Sequence, residues 1–572
     1  MNHMKFETAI FLFFLWAVVI LLSGPLQAEI CPPVKQVESR KQAPTIAIMG
    51  SSLAAGWVTS RDEKFDMNNG WAFRLERYLK PKGFHVINIS LPGDTTEKVL
   101  ERLEKDLFPL NADIVIISLS LENEGIRGLW EKTPTEVYEG FKDNLKTIVK
   151  KCLQKGIRPV VASCYASDNY TEDWHYDLIR KMNLELARWD VPGINLLGAL
   201  NDGKGRFVQG ITFDLDHPDS TGHRELFYSV VPGLFESMIK GIPLPRKAPM
   251  NGFFAVEHGK KSTPLSYIPD SLIHSFSMQF ETRIKEPGTV AAFIQFNGGV
   301  SQLVFLGEDR FQYISAAGAS FAFNVRTAEH EWQAVCVSHR FIQGEILIYV
   351  NGDLAARIEE AFIPLQFVLG GSAEDIRPFV SAGADYREWM IYRTALNADE
   401  VASLHQGVLL QPSLELYIPL SGVSDERDRT IKNFAQNTTR AYVYPSVANR
   451  DEAPLRDQIQ RETTSEKIFV DPDAKKPIDV DLSTLEKLQG VYEMDSQMTI
   501  TIVLEGRRLF ALINEGKEGK SELFPLSPLR FFMKIVGPEM EMEFKQPGDG
   551  DQMEIMLQIG PNQMKAKRVR LR

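Results

Sequence analysis

Hydrophobic rhythm constrains this chain more than any other feature, and it changes near residue 243. From Thr45 to about Met238, short apolar runs alternate with amphipathic stretches of helical spacing; beyond it, apolar residues recur at every second position. A period near 3.6 marks a helix with one buried face, and a period of two marks a half-buried strand. In the first part the apolar runs predict strands at Thr45–Met49, His85–Ile89, Asp113–Leu119, Arg158–Ser163 and Gly193–Leu197. The clearest helix is "TPTEVYEGFKDNLKTIVKKCLQKG", with Thr133 as cap, Pro134 at the first helical position and Glu136 closing a capping box. Val137, Tyr138, Phe141, Leu145, Ile148, Val149 and Cys152 form its apolar stripe, and Gly156 ends it. "DTTEKVLERLEKDLFPL" is a second helix, capped by Asp94 or Thr95. Alternation with short connections predicts a parallel sheet covered by helices on both faces, and such sheets bind ligands at the carboxyl ends of their strands.

The texture after "GIPLPRKAPMNG" predicts a second unit, all β. "FSMQFETRI" places Phe276, Met278, Phe280, Thr282 and Ile284 on one face, and Asn351-Gly352 between two alternating runs is a hairpin signal. Many short strands with Gly turns predict a sandwich. The chain therefore divides into a leader at 1–28, an α/β unit at 43–242, a sandwich at 250–420, a polar and partly ordered linker at 421–480, and a small antiparallel β unit at 481–572. In the last, "LEKLQGVYEM" reads as a short helix entering a strand, followed by hairpins that form a small barrel or sheet.

With 572 residues, three or four folded units are expected at ~150 residues each. The net charge of −11 excludes the basic face of a nucleic-acid protein. Four cysteines, Cys31, Cys152, Cys164 and Cys336, without CxxC or Cys/His clustering exclude a disulfide scaffold and a zinc site. Cys152 and Cys164 can be paired on paper, but free buried thiols are the simpler expectation. The leader joins basic Lys5 to an apolar run from Ala9 to Leu22 and then Ser23-Gly24-Pro25 and Ala28, the layout of an export signal cleaved after Ala28. Leu26 fits the cleavage motif poorly, which leaves an uncleaved anchor open; no later run is long enough to span a bilayer. A periplasmic or secreted protein without a stable membrane span is expected.

The chemistry concentrates at three predicted strand ends: "IMGSSLAAG", "NISLPGDTT" and "IISLSLENEG". A nucleophilic serine needs a base, a group that orients the base, and donors for an oxyanion. The first stretch supplies serines. "GITFDLDHPDSTGH" supplies Asp214 and His217, three residues apart before a helix. At that spacing the carboxylate can reach back to imidazole Nδ1 and leave Nε2 for the hydroxyl. His223 reads as a local packing residue, His175 as a helix residue, Asp94 and Glu97 as helix N-terminal capping residues, and Asn123 and Gly93, taken alone, as turn residues.

Together these four stretches resemble the four sequence blocks of the SGNH/GDSL hydrolase superfamily, over about 200 residues. The resemblance implies a flavodoxin-like three-layer α/β/α sandwich and hydrolysis of esters, often acetyl groups on carbohydrates, without a metal or organic cofactor. It assigns the nucleophile to Ser52, the oxyanion hole to the N–H groups of Ser52 and Gly93 with the Asn123 amide, and the acid–base pair to Asp214 and His217. Two departures stand out. Ser51 replaces the first-block Asp and stays open as an alternative nucleophile. Leu121-Glu122-Asn123-Glu124 replaces Gly-x-Asn-Asp, and the lost glycine is expected to put bulk beside the site.

The second unit is similar to laminin-G-like, concanavalin A-type sandwiches on "EWQAVCVSH", "LIYVNGDLAARI", "FVLGGS" and "GADYREWMIYRTALNADEVASLHQG", which implies possible glycan binding. Asp353 and Asp385 read as turn carboxylates rather than calcium ligands, and Trp332 and Trp389 as core. The last unit is similar to the small domain that follows serine beta-lactamase-like enzymes, on "LEKLQGVYEM", "EGRRLFALI" and "ELFPLSPLRFF"; no function follows from it. The expectation is an exported esterase acting on a carbohydrate-linked ester. Two alternatives stand beside it: a lipid or lysophospholipid esterase, and a non-catalytic glycan-binding or surface-interaction protein whose hydrolase unit has decayed.

Overall fold

A computed structural model describes residues 43–57, 70–127, 132–212, 214–249, 251–258, 265–325, 331–370, 380–421, 430–443, 455, 478–495, 498–513, 520–533, 540–545, 552–559 and 562–570. The expected leader at 1–28 and Cys31 lie outside these residues.

Strand β1 (Thr45–Gly50) leads into a one-turn helix, α1 (Ser52–Ala55). After α2 (Trp71–Leu79) come β2 (His85–Asn88), α3 (Thr96–Arg102), β3 (Ile114–Ser118), α4 (Pro134–Gln154), β4 (Arg158–Ala162), α5 (Asp173–Ala187) and the very short β5 (Gly193–Ile194). Helices α6 (Leu197–Leu200), α7 (Ser220–Tyr228) and α8 (Gly233–Ile239) complete the unit. The five strands are parallel, in the order β2-β1-β3-β4-β5. Ile46, Ala47, Ile48 and Met49 are all buried, as expected of a parallel strand covered on both faces. The order reverses between β1 and β3, so the crevice at their carboxyl ends is the natural ligand site of this flavodoxin-like α/β/α fold.

Local signals placed the helices well. In α4, Thr133 and Glu136 form the capping box, and every residue of the predicted stripe is buried. For α3 the cap is Thr95, which accepts from Lys98 N. Asp94 is not a cap: it binds Arg102. Cys152, Cys164 and Cys336 are buried and free.

The second unit is a two-sheet antiparallel sandwich. One sheet runs, in spatial order, Ser320–Asn324, Arg310–Ile314, Val300–Gly307, Gly288–Gln295, Pro364–Leu369, Leu265–Tyr267, Ala441–Val443 and Thr430–Ile431. The other runs Asp353–Glu359, Glu345–Val350, Gln333–Arg340, Phe276–Glu286, Gly383–Tyr392 and Leu414–Ile418, with Phe254–Val256 paired to Gly383–Tyr392. Phe276, Met278 and Phe280 point into the core between the sheets, with Trp389. Asn351 and Gly352 form the expected hairpin turn, at φ 54° and 89°. Residues 430–443 belong to the first sheet, so part of the stretch expected as linker is sandwich.

Two expectations here need correction. Asp385 lies in the strand Gly383–Tyr392, fully buried, and answers Arg283 and Lys285; it is no turn carboxylate. Trp332 is half-buried and outside the core, with the Arg387 guanidinium 4.1 Å from its ring centre. Arg387, paired with Glu281, and Arg283, paired with Asp385 and 5.1 Å from the same ring centre, each find there both a carboxylate and a π face.

The third unit is a closed eight-stranded antiparallel barrel from Gly490–Asp495 to Asn562–Arg570, entered through the helix Leu482–Leu488. Its interior is filled by side chains including Tyr492, Phe531, Met542 and Phe544, as a barrel of this strand number allows.

The units are joined by buried polar contacts. Ser413 N donates to Gly193 O at 3.0 Å, and Asn195 Nδ2 donates to Glu400 at 2.7 Å. Glu225 of α7 meets His274 of the sandwich at 2.9 Å. Arg206 pairs with Glu522 of the barrel, and Arg508 of the barrel donates to Thr171 O at 3.2 Å. Among the described residues no helix is long and apolar enough to cross a membrane.

Candidate active site

Gly50 ends β1 where it passes closest to β3. A Cβ at residue 50 would lie 2.1 Å from the Ser118 carbonyl oxygen, so only glycine fits. Ser51 N then donates to that same oxygen, the backbone at Ser51 is extended, and α1 begins at Ser52. This abrupt strand-to-helix turn sends the two serines in different directions. Ser51 is completely buried and its hydroxyl meets the Tyr165 hydroxyl at 3.3 Å. Ser52 is only partly buried, and its Oγ lies 2.9 Å from His217 Nε2. Its N–H sits in the first helical turn, where no intrahelical acceptor exists.

His217 Nδ1 lies 2.9 Å from Asp214 Oδ2. The other carboxylate oxygen accepts from the backbone N–H groups of Asp216, at 2.8 Å, and His217, at 2.6 Å. The three-residue spacing does what it predicted: one tight turn folds the carboxylate back onto the imidazole. With Nδ1–H directed to Asp214, Nε2 is left to accept the Ser52 proton.

The loops after β2 and β3 close on the same crevice. Leu91 N donates to Gly50 O at 3.0 Å, which seats the turn that contains Gly93 beside the end of β1. Gly93 takes a positive φ of 76° with open space where a side chain would be, so its glycine answers a backbone requirement. Asn123 Oδ1 accepts from Tyr165 OH at 3.0 Å. Glu124 accepts from Thr96 N and so ties the Asn123 loop to the start of α3. Leu121, expected to add bulk beside the site, is instead buried in the core of the α/β unit.

Residues 48–225 match the GDSL-like Lipase/Acylhydrolase family. An arylesterase from Vibrio mimicus is 29% identical over 142 residues, which are 24% of this chain and 64% of that protein. The chain thus spans a little under two thirds of that relative's length. Among solved structures, a lipolytic-family G-D-S-L protein from Desulfitobacterium hafniense is 17% identical, with 32% of this chain and 96% of that one covered and a TM-score of 0.27. An acetylxylan esterase from Geobacillus stearothermophilus, solved as a catalytic mutant, is 15% identical, with 33% and 92% covered and a TM-score of 0.27.

Around this GDSL-like region a second layer of contacts holds the Asp214–His217 turn. Asp168 N and Ser167 Oγ donate to Leu215 O at 2.9 and 3.1 Å, and Asn169 donates to Asp216. Asp219 caps α7 through Gly222 N, and burial raises its carboxyl to about 6. His223 is fully buried and its bonds are distant rather than local: Nδ1 accepts from Trp71 N and Nε2 meets Trp57 O, each at 3.3 Å. Burial lowers its pKa to about 3, so the ring is a neutral pin. It fixes Trp57, whose ring centre stands 6.4 Å from that of His217. His175 lies at the start of α5, accepts from Glu172 N, and has its ring centre 4.0 Å from that of Trp174, the two rings tilted by 50°. Glu97 sits in the first turn of α3.

Sequence reasoning missed Tyr165, Glu124 and Glu122. Glu122 is buried beside Arg127, whose Nε is 2.9 Å from it without the alignment of a hydrogen bond. Burial raises its carboxyl to about 8. Among the described residues no group of three His, Cys, Asp or Glu side chains is placed to hold a metal ion.

Proposed function

We propose that the chain is an exported serine esterase that removes an acyl group, acetyl above all, from a carbohydrate-linked ester. The observation that carries the chemistry is the unbroken relay from Ser52 Oγ to His217 Nε2 and from His217 Nδ1 to Asp214, each link 2.9 Å. Ser52 Oγ attacks the acyl carbonyl carbon while His217 Nε2 takes its proton. Asp214 holds the ring and faces the positive charge that forms on it. The oxyanion is met by the N–H groups of Ser52 and Gly93 and by the Asn123 side-chain amide. His217 then passes its proton to the departing alcohol. Water, deprotonated by the same ring, releases the acid and restores Ser52.

The match to the GDSL-like family and the likeness to an arylesterase support ester cleavage. The leader at 1–28 supports export to the periplasm or beyond. A carbohydrate substrate is supported by the sandwich, whose likeness in sequence is to laminin-G-like domains. On its outer face Phe253 is 46% exposed, with the Arg283 guanidinium 5.4 Å from its ring centre and Trp332 alongside. An aromatic face beside hydrogen-bond donors is what a sugar ring needs.

The test is hydrolysis of p-nitrophenyl acetate by the full chain and by Ser52→Ala. The variant is expected to lose activity by a factor on the order of 10⁴ or more, and equal rates would end the esterase reading. A series of esters of increasing acyl length then locates the substrate. A steep fall beyond acetyl supports the carbohydrate ester, and a rise with chain length points to a lipid.

A further inference from the structure

We infer that Tyr165 is a positioning residue for the oxyanion hole: through one directed chain of hydrogen bonds from Ser51, it turns the Asn123 amide so that Nδ2 faces the reacting carbonyl. This rests on the esterase reading above and adds to it a residue that touches neither substrate nor nucleophile.

The two ends of an Asn side chain have nearly the same shape, and only one orientation offers a donor to an oxyanion. A neighbour must choose. Tyr165 follows β4, and its side chain runs under the nucleophile turn with only 3% exposed. Its hydroxyl contacts two groups, Asn123 Oδ1 at 3.0 Å and Ser51 Oγ at 3.3 Å. A phenol has one proton to give. If Ser51 donates to the phenol oxygen, the phenol donates to Asn123 Oδ1, and the amide N–H₂ is left for the substrate. The reverse chain has Asn123 donating to the phenol and the phenol donating to Ser51. It would leave the Ser51 proton buried and, among the described residues, without an acceptor. A buried hydroxyl left without its hydrogen bond is costly enough to fix the direction.

Two further facts agree. Burial pushes the Tyr165 phenol well above its ordinary range, so it stays a donor throughout the working pH range. Ser51, which stands where the family has Asp, becomes the first donor of the chain. The same contact removes it as the alternative nucleophile, because its hydroxyl is enclosed and turned away from His217.

The experiment is a double-mutant cycle in the full chain, with p-nitrophenyl acetate, well below the melting temperature of every variant. Tyr165→Phe keeps the ring and deletes the hydroxyl. It is expected to lower kcat about tenfold or more while KM stays within about twofold, because the lost interaction is made only with the transition state. In an Asn123→Ala background the same substitution is expected to change kcat little, since nothing remains to be oriented. An undiminished kcat in Tyr165→Phe overturns the inference, and so does an equal loss in both backgrounds, which marks a merely structural role. If Ser52→Ala abolishes activity while Tyr165→Phe does not alter it, the inference falls alone. If Ser52→Ala is as active as the unaltered chain, the esterase reading falls and takes the inference with it.

Discussion

Glu122 shows how closely the chain crowds charge around its crevice. It sits between Arg127 on its own loop and Asp216 on the loop of His217, and burial outweighs the cation, raising its pKa to about 8. The folded protein favours the protonated acid more than the unfolded chain does, so this contribution is whole below about 4.5 and is lost as pH rises through 8. We therefore expect Glu122→Gln to be more stable relative to the unaltered protein at pH 9 than at pH 5, measured by thermal melts at both. Melts whose difference is independent of pH would contradict the assignment. The preference for Ser52 over Ser51 rested on the family resemblance, but at this scale the Asp214–His217 contact was legible in the sequence itself, because short spacing encodes it locally. Tyr165 and Glu122 were not. Tyr165 stands 114 residues from Ser51, and no local pattern announces that the two hydroxyls meet. His223 misled for the same reason: its partners are Trp57 and Trp71, far along the chain.

Among the elements, the turn from β1 into α1 does most to place the chemistry, and it depends on one missing side chain. Gly50→Ala would press a methyl group into the Ser118 carbonyl, with the Ala54 methyl 2.9 Å away and no flexible neighbour to give way. We expect a loss of about 3 kcal/mol or more, read as an early thermal transition, together with lost esterase activity. An Ala variant that melts like the unaltered protein would show that β1 and β3 separate more easily than their register implies. Strand and helix existence was legible throughout the α/β unit, because buried parallel strands and a capped amphipathic helix such as α4 write their own periods. The ends were less so. The fifth strand was expected to reach Leu197 but stops at Ile194, where Asn195 turns to bond Ser413 and Glu400 of the sandwich. Tertiary contacts ended that strand, and nothing local foretold them. Residues 430–443 escaped notice as strands because the strands Thr430–Ile431 and Ala441–Val443 are only two and three residues long, lie in a polar stretch and pair at a sheet edge.

Taken as one body, the molecule braces its hydrolase loops from outside. The barrel reaches them through the Arg206–Glu522 pair and the Arg508 bond to Thr171. The segment they touch, 167–171, where Arg206 also donates to Tyr170 O, bonds Leu215 and Asp216 in the Asp214–His217 turn. Deleting residues 478–572 is therefore expected to speed hydrogen exchange at 167–171 and 214–217 and to lower kcat. Unchanged exchange there would show that the barrel is only a neighbour. Three units with their fold classes could be read from the change of rhythm and the turn residues, but not their mutual docking, because surfaces that meet across hundreds of residues leave no periodic mark. The Glu225–His274 contact is a case in point. Glu225 belongs to the helix that begins just after His217, and burial would raise its carboxyl, yet His274 and Arg224 hold it below the usual range. Any foreign module grafted in place of the sandwich would have to bring a hydrogen-bonding partner of its own to that spot, or leave Glu225 with Arg224 alone behind the His217 turn.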